Sequence, residues 1–307
     1  MARTGFFFRQ EGLQHDTGPM HPEAPQRLVA VLQAFDKAGL NPEIIETEPA
    51  SREQLLYIHT EDHIETIRQT CAHHLAYSDL DTNMSQGSWM AALLAAGGAI
   101  ASCKAVLEKR YDNVFWAMRP PGHHAEATHA RGFCLFNNVA IAARWLQKEA
   151  GLKKVAILDW DIHHGNGTQH AFYEDDSVYY MSVHQHPHYP GTGFPDERGK
   201  NNRNLNIQVR PGARPEEWLN AIEKVFIPEL QRFDPEFLLL SCGFDAHRLD
   251  YLGSQSLEAE HYVEMTRMVK PVADGKIVSL LEGGYHPEAL GMCAVAHFKA
   301  LQEDTAR

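Results

Sequence analysis

Six short apolar runs, rich in β-branched and aromatic residues, recur along this chain with helical stretches between them. They are Gly5–Phe8, Val114–Met118, Val155–Leu158, Val178–Val183, Phe237–Ser241 and Ile277–Leu281. Their hydrophobicity is continuous rather than alternating, the pattern of parallel strands covered on both faces. Between them, Pro25–Phe35 carries Leu28, Val29, Leu32 and Phe35 at helical spacing, with a proline near the helix start. Met90–Leu107 is rich in alanine, and its Gly97-Gly98 pair would let another element pack close; Asn138–Lys148 and Glu216–Phe233 are also helical in spacing. Alternation on this scale predicts an α/β fold, with a central, mainly parallel sheet and helices on both faces. With no internal repeat, low-complexity tract or linker, residues 1–307 are expected to form a single domain.

Composition narrows the function classes. An excess of 40 acidic over 28 basic residues gives a net charge of −12, which disfavours direct nucleic-acid binding and suits steering of a cationic substrate. No apolar run is expected to reach the length of a membrane span, and no signal-peptide core is expected at the N-terminus. Five scattered cysteines argue against a disulfide framework and place the chain in a reducing cytoplasm.

The unusual polar motifs follow directly on the apolar runs. RPPGHHA follows FWAM, DWDIHHGNG follows VAIL, GFDAHRLD follows LLLSC and EGGYH follows IVSLL. Open parallel sheets bind their ligands at the carboxyl ends of strands, so these four loops are expected to converge on one crevice. Just beyond a strand, alternate residues share a side, so Asp161 and His163 can present an oxygen and a nitrogen to one ion. Asp245, at the end of another strand, could be the third ligand, or could instead cap a following helix. Two aspartates and one histidine leave an exchangeable position, as a catalytic zinc needs. The same donors admit Fe²⁺, Co²⁺ or Mn²⁺.

His123 and His124 form an adjacent imidazole pair behind two prolines and a glycine. Near neutral pH imidazole can take a proton from an activated water and return one to a leaving amine. The two could divide that labour, one could do both, or the pair could help hold a second metal. Asp159 can orient one imidazole through its Nδ1–H, and Asn166 the other. Tyr285, after a strand and two glycines, could donate a hydrogen bond to a developing oxyanion.

Taken together, RPPGHHA, GFCLFNN, DWDIHHGNGT, YPGTG, GFDAH and EGGY, in this order, resemble the zinc-dependent histone deacetylase family from His15 to about His297. That resemblance implies the arginase–deacetylase fold, with a sheet of about eight strands. It implies Asp161, His163 and Asp245 as zinc ligands, His124 as proton shuttle, His123 as mainly electrostatic, and Tyr285 as the group that polarises the carbonyl. It further implies Gly132, Phe133 and Tyr189 along an acyl-lysine tunnel, where the family more often has phenylalanine at the third. Arg27 matches an arginine beside an inner acetate-release cavity. Asp159, Asp161, His163, Ser182 and Val183 resemble a structural K⁺ site. Asn166, where class I enzymes usually carry aspartate, makes the chain look closer to class II and its bacterial relatives. Leu252 stands where a polyamine-selective member has an acidic gatekeeper, and Asp81, or else Asp79, corresponds to a rim aspartate that grips a peptide backbone.

The resulting expectation is a zinc-dependent amidohydrolase acting on acetyl-lysine in a peptide or protein. The alternative is an acetylpolyamine or other small acetyl-amide as substrate; a more distant one is a non-catalytic protein that binds acetylated ligands. An arginase-like enzyme with two metals would need further carboxylates around His123 and Asp159.

Overall fold

The computed structural model describes residues 2–41, 47–73, 79 and 81–304. Among them, seven strands form one sheet: β1 (Thr4–Phe7), β2 (Asn113–Trp116), β3 (Val155–Asp159), β4 (Val178–Gln185), β5 (Asn204–Val209), β6 (Phe237–Cys242) and β7 (Ile277–Leu281). Their order is β1-β2-β7-β6-β3-β4-β5, and every neighbouring pair is parallel. The sheet has seven strands where about eight were expected, and one of the seven, β5, was not foreseen. Its sequence NLNIQV breaks the apolar run with three polar residues, two of which, Asn204 and Asn206, are buried and donate their amides to Gln169 Oε1.

Helices cover both faces, and successive strand residues divide between two cores. Ala156 and Leu158 of β3 join one core with Leu238 and Leu240 of β6; Val155 and Ile157 join the other with Phe237 and Leu239. The Pro25–Lys37 and Pro287–Gln302 helices pack on the first face. Within Pro25–Lys37 the buried side chains are Arg27, Leu28, Val31 and Phe35, whereas Val29, expected inside, faces solvent. Residues 28, 31 and 35 follow the three-and-four spacing of one helix face; residue 29 is rotated about 100° away from 28.

The Ser88–Leu107 helix packs on the second face. Contrary to the sequence expectation, it is long and apolar enough to cross a membrane, with 20 residues and a mean hydropathy of 1.8, and 72% of it is buried inside the protein. Alanine and glycine supply much of this length, and they serve close packing here. A side-chain carbon on Gly97 would meet the Glu48 carbonyl oxygen at 2.1 Å, and one on Gly98 would meet the Trp116 indole at 2.0 Å. The expected Glu216–Phe233 helix runs as Pro215–Asn220, a π-helical Ala221–Phe226 and Ile227–Phe233. Pro228 has no N–H to give and its ring crowds the carbonyl four residues back, which the wider turn before it relieves.

Four buried histidines are held neutral. Burial lowers His59, His184 and His297 to about 3 and His63 to about 4. Both ring nitrogens of His297 are within hydrogen-bond reach of hydroxyls, those of Thr266 and Ser279. Below the ordinary value of 6.5 the unfolded chain binds protons that the folded chain excludes. The stability these four contribute is therefore full above pH 6.5 and is lost as pH falls toward 3–4, by roughly 1.4 kcal/mol per unit for each. Urea unfolding is expected to show a clearly lower stability near pH 5 than near pH 7; equal values would contradict this.

Candidate metal centre and active site

The five strands β2, β7, β6, β3 and β4 stand side by side, so the loops leaving their carboxyl ends are neighbours although they are far apart in sequence. The β3 loop carries Asp159, Asp161, His163 and Asn166; the β2 loop His123 and His124; the β6 loop Asp245; the β7 loop Glu282 and Tyr285; the β4 loop His188 and Tyr189.

Asp161, His163 and Asp245 are buried, and one donor atom from each lies within 4.8 Å of the others. His163 Nδ1 stands 3.0 Å from Asp161 Oδ1 and 3.2 Å from Asp245 Oδ2. Backbone N–H groups of His163 and Gly283 donate to the two oxygens of Asp161, and that of Ile162 donates to Asp245 Oδ1. Among the described residues the only ion-pair partners of these carboxylates are His123 and His163. Burial and the charge of Asp161 push Asp245 up to about 7. Burial opposes charge on His163, yet the two carboxylates raise it to about 10. Two buried carboxylates facing one imidazole, with no Lys or Arg in ion-pair contact among the described residues, fit a divalent cation.

Gly283 is part of this geometry. A side-chain carbon there would lie 2.0 Å from Asp245 Oδ2 and 2.6 Å from Asp161 Oδ2. Gly283→Ala is therefore expected to displace both carboxylates and weaken metal binding at least as much as an outer-shell substitution, about 10–100-fold. Zinc titration of the chelator-treated variant checks this; wild-type affinity would contradict it.

The imidazole pair sits beside the metal group, with ring centroids of His123 and His124 4.0 Å apart and those of His124 and His163 5.8 Å apart. His123 Nδ1 lies 3.0 Å from Asp159 Oδ2, and His124 Nδ1 lies 2.8 Å from Asn166 Oδ1. The two environments differ. Burial opposes charge on His123, but Asp159, Asp161 and Glu282 raise it to about 10. Burial, with the charges of His123 and His163, holds His124 well below its ordinary value. The second imidazole is thus held neutral.

Tyr285 is buried, with its backbone N–H donating to Asp250 Oδ2 at 2.5 Å, its ring 5.7 Å from that of Phe133 and the Arg27 guanidinium 4.9 Å from its ring centre. Burial, together with the charges of Asp245 and Asp161 and against that of Arg27, raises its phenol well above the ordinary range, so it remains a donor. Arg27 itself donates to the carbonyls of Gly284 and Glu282 and pairs with Glu23.

Tyr189 crosses His124 edge-on at 5.0 Å, and its hydroxyl accepts from Arg131 Nε at 3.1 Å. Gly132, at φ +54°, lies where a side-chain carbon would strike His124 and the Tyr189 hydroxyl. Leu252 is half-buried, and its carbonyl accepts from His188 Nε2 at 2.9 Å. Asp81 is exposed beside Asp79, with its carbonyl 3.0 Å from His21 Nε2. Ser182 pairs with Asp159 across β3 and β4, and Val183 follows it; the Ser182 hydroxyl is bonded to His184.

Four residues to which the sequence reading gave no role contribute to this geometry. His188 stacks on His163 at 4.8 Å. Asp250 accepts backbone N–H groups of Leu252, Tyr285 and His286. Glu282 accepts those of Gly122 and His123. Glu126 accepts from the Asn166 amide. All four lie inside or next to the motifs already singled out, which is the available signal.

The histone deacetylase domain profile matches residues 21–301. A protein called a probable deacetylase from Archaeoglobus fulgidus is 41% identical, over 93% of this chain and 82% of its own. The histone deacetylase-like amidohydrolase of Pseudomonas aeruginosa is 33% identical, over 97% of this chain and 86% of its own. Histone deacetylase 15 of Arabidopsis thaliana is 38% identical over 92% of this chain, which spans about half (52%) of that longer protein. The crystal structure of the HDA15 HD domain superposes with a TM-score of 0.94 at 36% identity, covering 98% of this chain and 91% of that one.

Proposed function

This chain belongs to the histone deacetylase family and is a deacetylase that hydrolyses amides, and from that premise we propose that it removes acetyl groups from lysine side chains of peptides or proteins at a single zinc ion. The observation that carries the metal reading is the buried Asp161, His163 and Asp245 group with its donor atoms turned to one point. Zinc bound there supplies Lewis acidity to the acetyl carbonyl and lowers the pKa of a water.

The chain's own groups do the rest. His124, neutral and held through Nδ1 by Asn166, takes a proton from the attacking water at Nε2. His123, charged and paired with Asp159, stabilises negative charge beside it. The Tyr285 phenol donates to the oxygen that becomes negative as the carbonyl is attacked. His124 can then return its proton to the departing amine, freeing lysine and acetate. Tyr189, Phe133 and Gly132 form walls along which an apolar lysine stem can lie, and Asp81 offers a rim carboxylate to a peptide N–H.

Leu252 brings no carboxylate to attract a second ammonium, which favours acetyl-lysine over acetylpolyamines. A K⁺ ion among Asp159, Asp161, His163, Ser182 and Val183 is part of this reading, supported by the pairing of Ser182 with Asp159. Five buried, free thiols support a reducing cytoplasm as the place of action. Acetate release from acetyl-lysine peptides and from acetylspermidine, side by side, tests the substrate. Faster peptide turnover is expected; turnover of the polyamine alone would move the substrate class.

A further inference from the structure

We propose that Glu126 is a positioning residue that fixes which way round the Asn166 amide sits, and so which nitrogen of His124 is free to take a proton. This role presupposes that His124 is the base of the reaction. His123 and His124 are oriented by different chemistry. Behind His123 stands the carboxylate of Asp159, which can only accept, so its orientation has no wrong answer. Behind His124 stands an amide, with an acceptor oxygen on one side and an NH₂ donor on the other. If the amide turned over, its NH₂ would face His124 Nδ1, which would then have to be the unprotonated nitrogen. Nε2 would carry the proton and could not act as a base.

Two acceptors prevent that turn. Asn166 Nδ2 donates to the His124 carbonyl at 3.2 Å and to Glu126 Oε1. Either acceptor would face the amide oxygen after a flip, and the repulsion would be greater at Glu126, which is charged. Glu126 is 8% exposed. Burial works against its charge, but bonds from His170 and Asn166 hold it ionised. His170 Nδ1 lies 2.9 and 2.8 Å from its two oxygens. A chain of contacts thus runs from His170, half-exposed, through Glu126 and Asn166 to His124, and the negative Glu126 within it dictates the sense of the bonds from Asn166 inward.

Two measurements on the full chain test this. In ¹⁵N NMR, His124 of the zinc-loaded wild type is expected as the Nδ1–H tautomer, while Glu126→Ala mixes in the Nε2–H form and Glu126→Gln, which keeps an acceptor, restores the first. In kinetics, Glu126→Ala is expected to lower kcat about 10-fold, the scale of losing an outer-shell partner, with KM and zinc content unchanged. The same change made on Asn166→Ala should have no further effect. A pure Nδ1–H tautomer in Glu126→Ala, or losses that multiply in the double variant, would overturn the proposal. If the wild type turned over no acetyl-amide, the activity reading would fail, and the tautomer measurement would still decide the role of Glu126.

Discussion

Asp245→Asn is expected to abolish metal retention and amide hydrolysis together while leaving the fold intact. Asp245 divides its work between two oxygens: Oδ1 accepts the Ile162 backbone N–H, and Oδ2 faces His163 Nδ1 in the metal group. Asparagine keeps the first contact through its own oxygen and turns an NH₂ toward the metal position. That group has donors and no lone pair to offer a cation. The loss of affinity should exceed the about 10–100-fold typical when only an outer partner is disturbed. Asp161 is a poorer choice for this test. Both its oxygens accept backbone N–H groups, so an amide there sets a donor against Gly283 or His163 and disturbs the loop as well. Elemental analysis after dialysis, with circular dichroism on the same sample, gives the answer. Asp245→Asn protein that retains one zinc per chain would remove Asp245 from the ligand set.

Tyr285→Phe should act on the opposite side of the reaction. Burial first, and the charges of Asp245 and Asp161 after it, keep the phenol protonated, so on this account it acts as a hydrogen-bond donor. Phenylalanine leaves the ring contacts with Phe133 and Arg27 in place and removes only the hydroxyl. A donor to a developing oxyanion typically contributes a factor of about 10²–10³ in kcat, or about 2.7–4 kcal/mol. Turnover of an acetyl-lysine peptide is expected to fall by that factor, with zinc content and KM nearly unchanged. A change confined to KM would make Tyr285 a binding residue, and an unchanged kcat would exclude it from the mechanism.

Much of this centre is legible in the sequence because strand ends and chemistry coincide. The apolar runs of β2, β3, β6 and β7 each stop where a polar motif starts, and a parallel sheet places those stops on one edge. The order β2-β7-β6-β3-β4 then makes the loops neighbours, which no local pattern reveals. The strand that escapes, β5, lies at the sheet edge and buries two asparagines, Asn204 and Asn206, against the Gln169 side chain, so the continuous apolar signal is missing. Val29 was misplaced because any apolar residue beside Leu28 reads as core until the phase of the helix is fixed by its partners. Glu126, Asp250 and Glu282 were visible as letters next to motifs. Their roles depend on which backbone N–H or amide they meet across 35 to 160 residues of chain, and spacing along the sequence carries no record of that.

The central claim is one metal ion at Asp161, His163 and Asp245, required for amide hydrolysis. The most direct measurement is acetate release from an acetyl-lysine peptide as zinc is added stepwise to chelator-treated protein. The account predicts no release without metal and a rise that levels off at one equivalent per chain. Full activity in the metal-free protein, or a rise that continues to two equivalents, would contradict it.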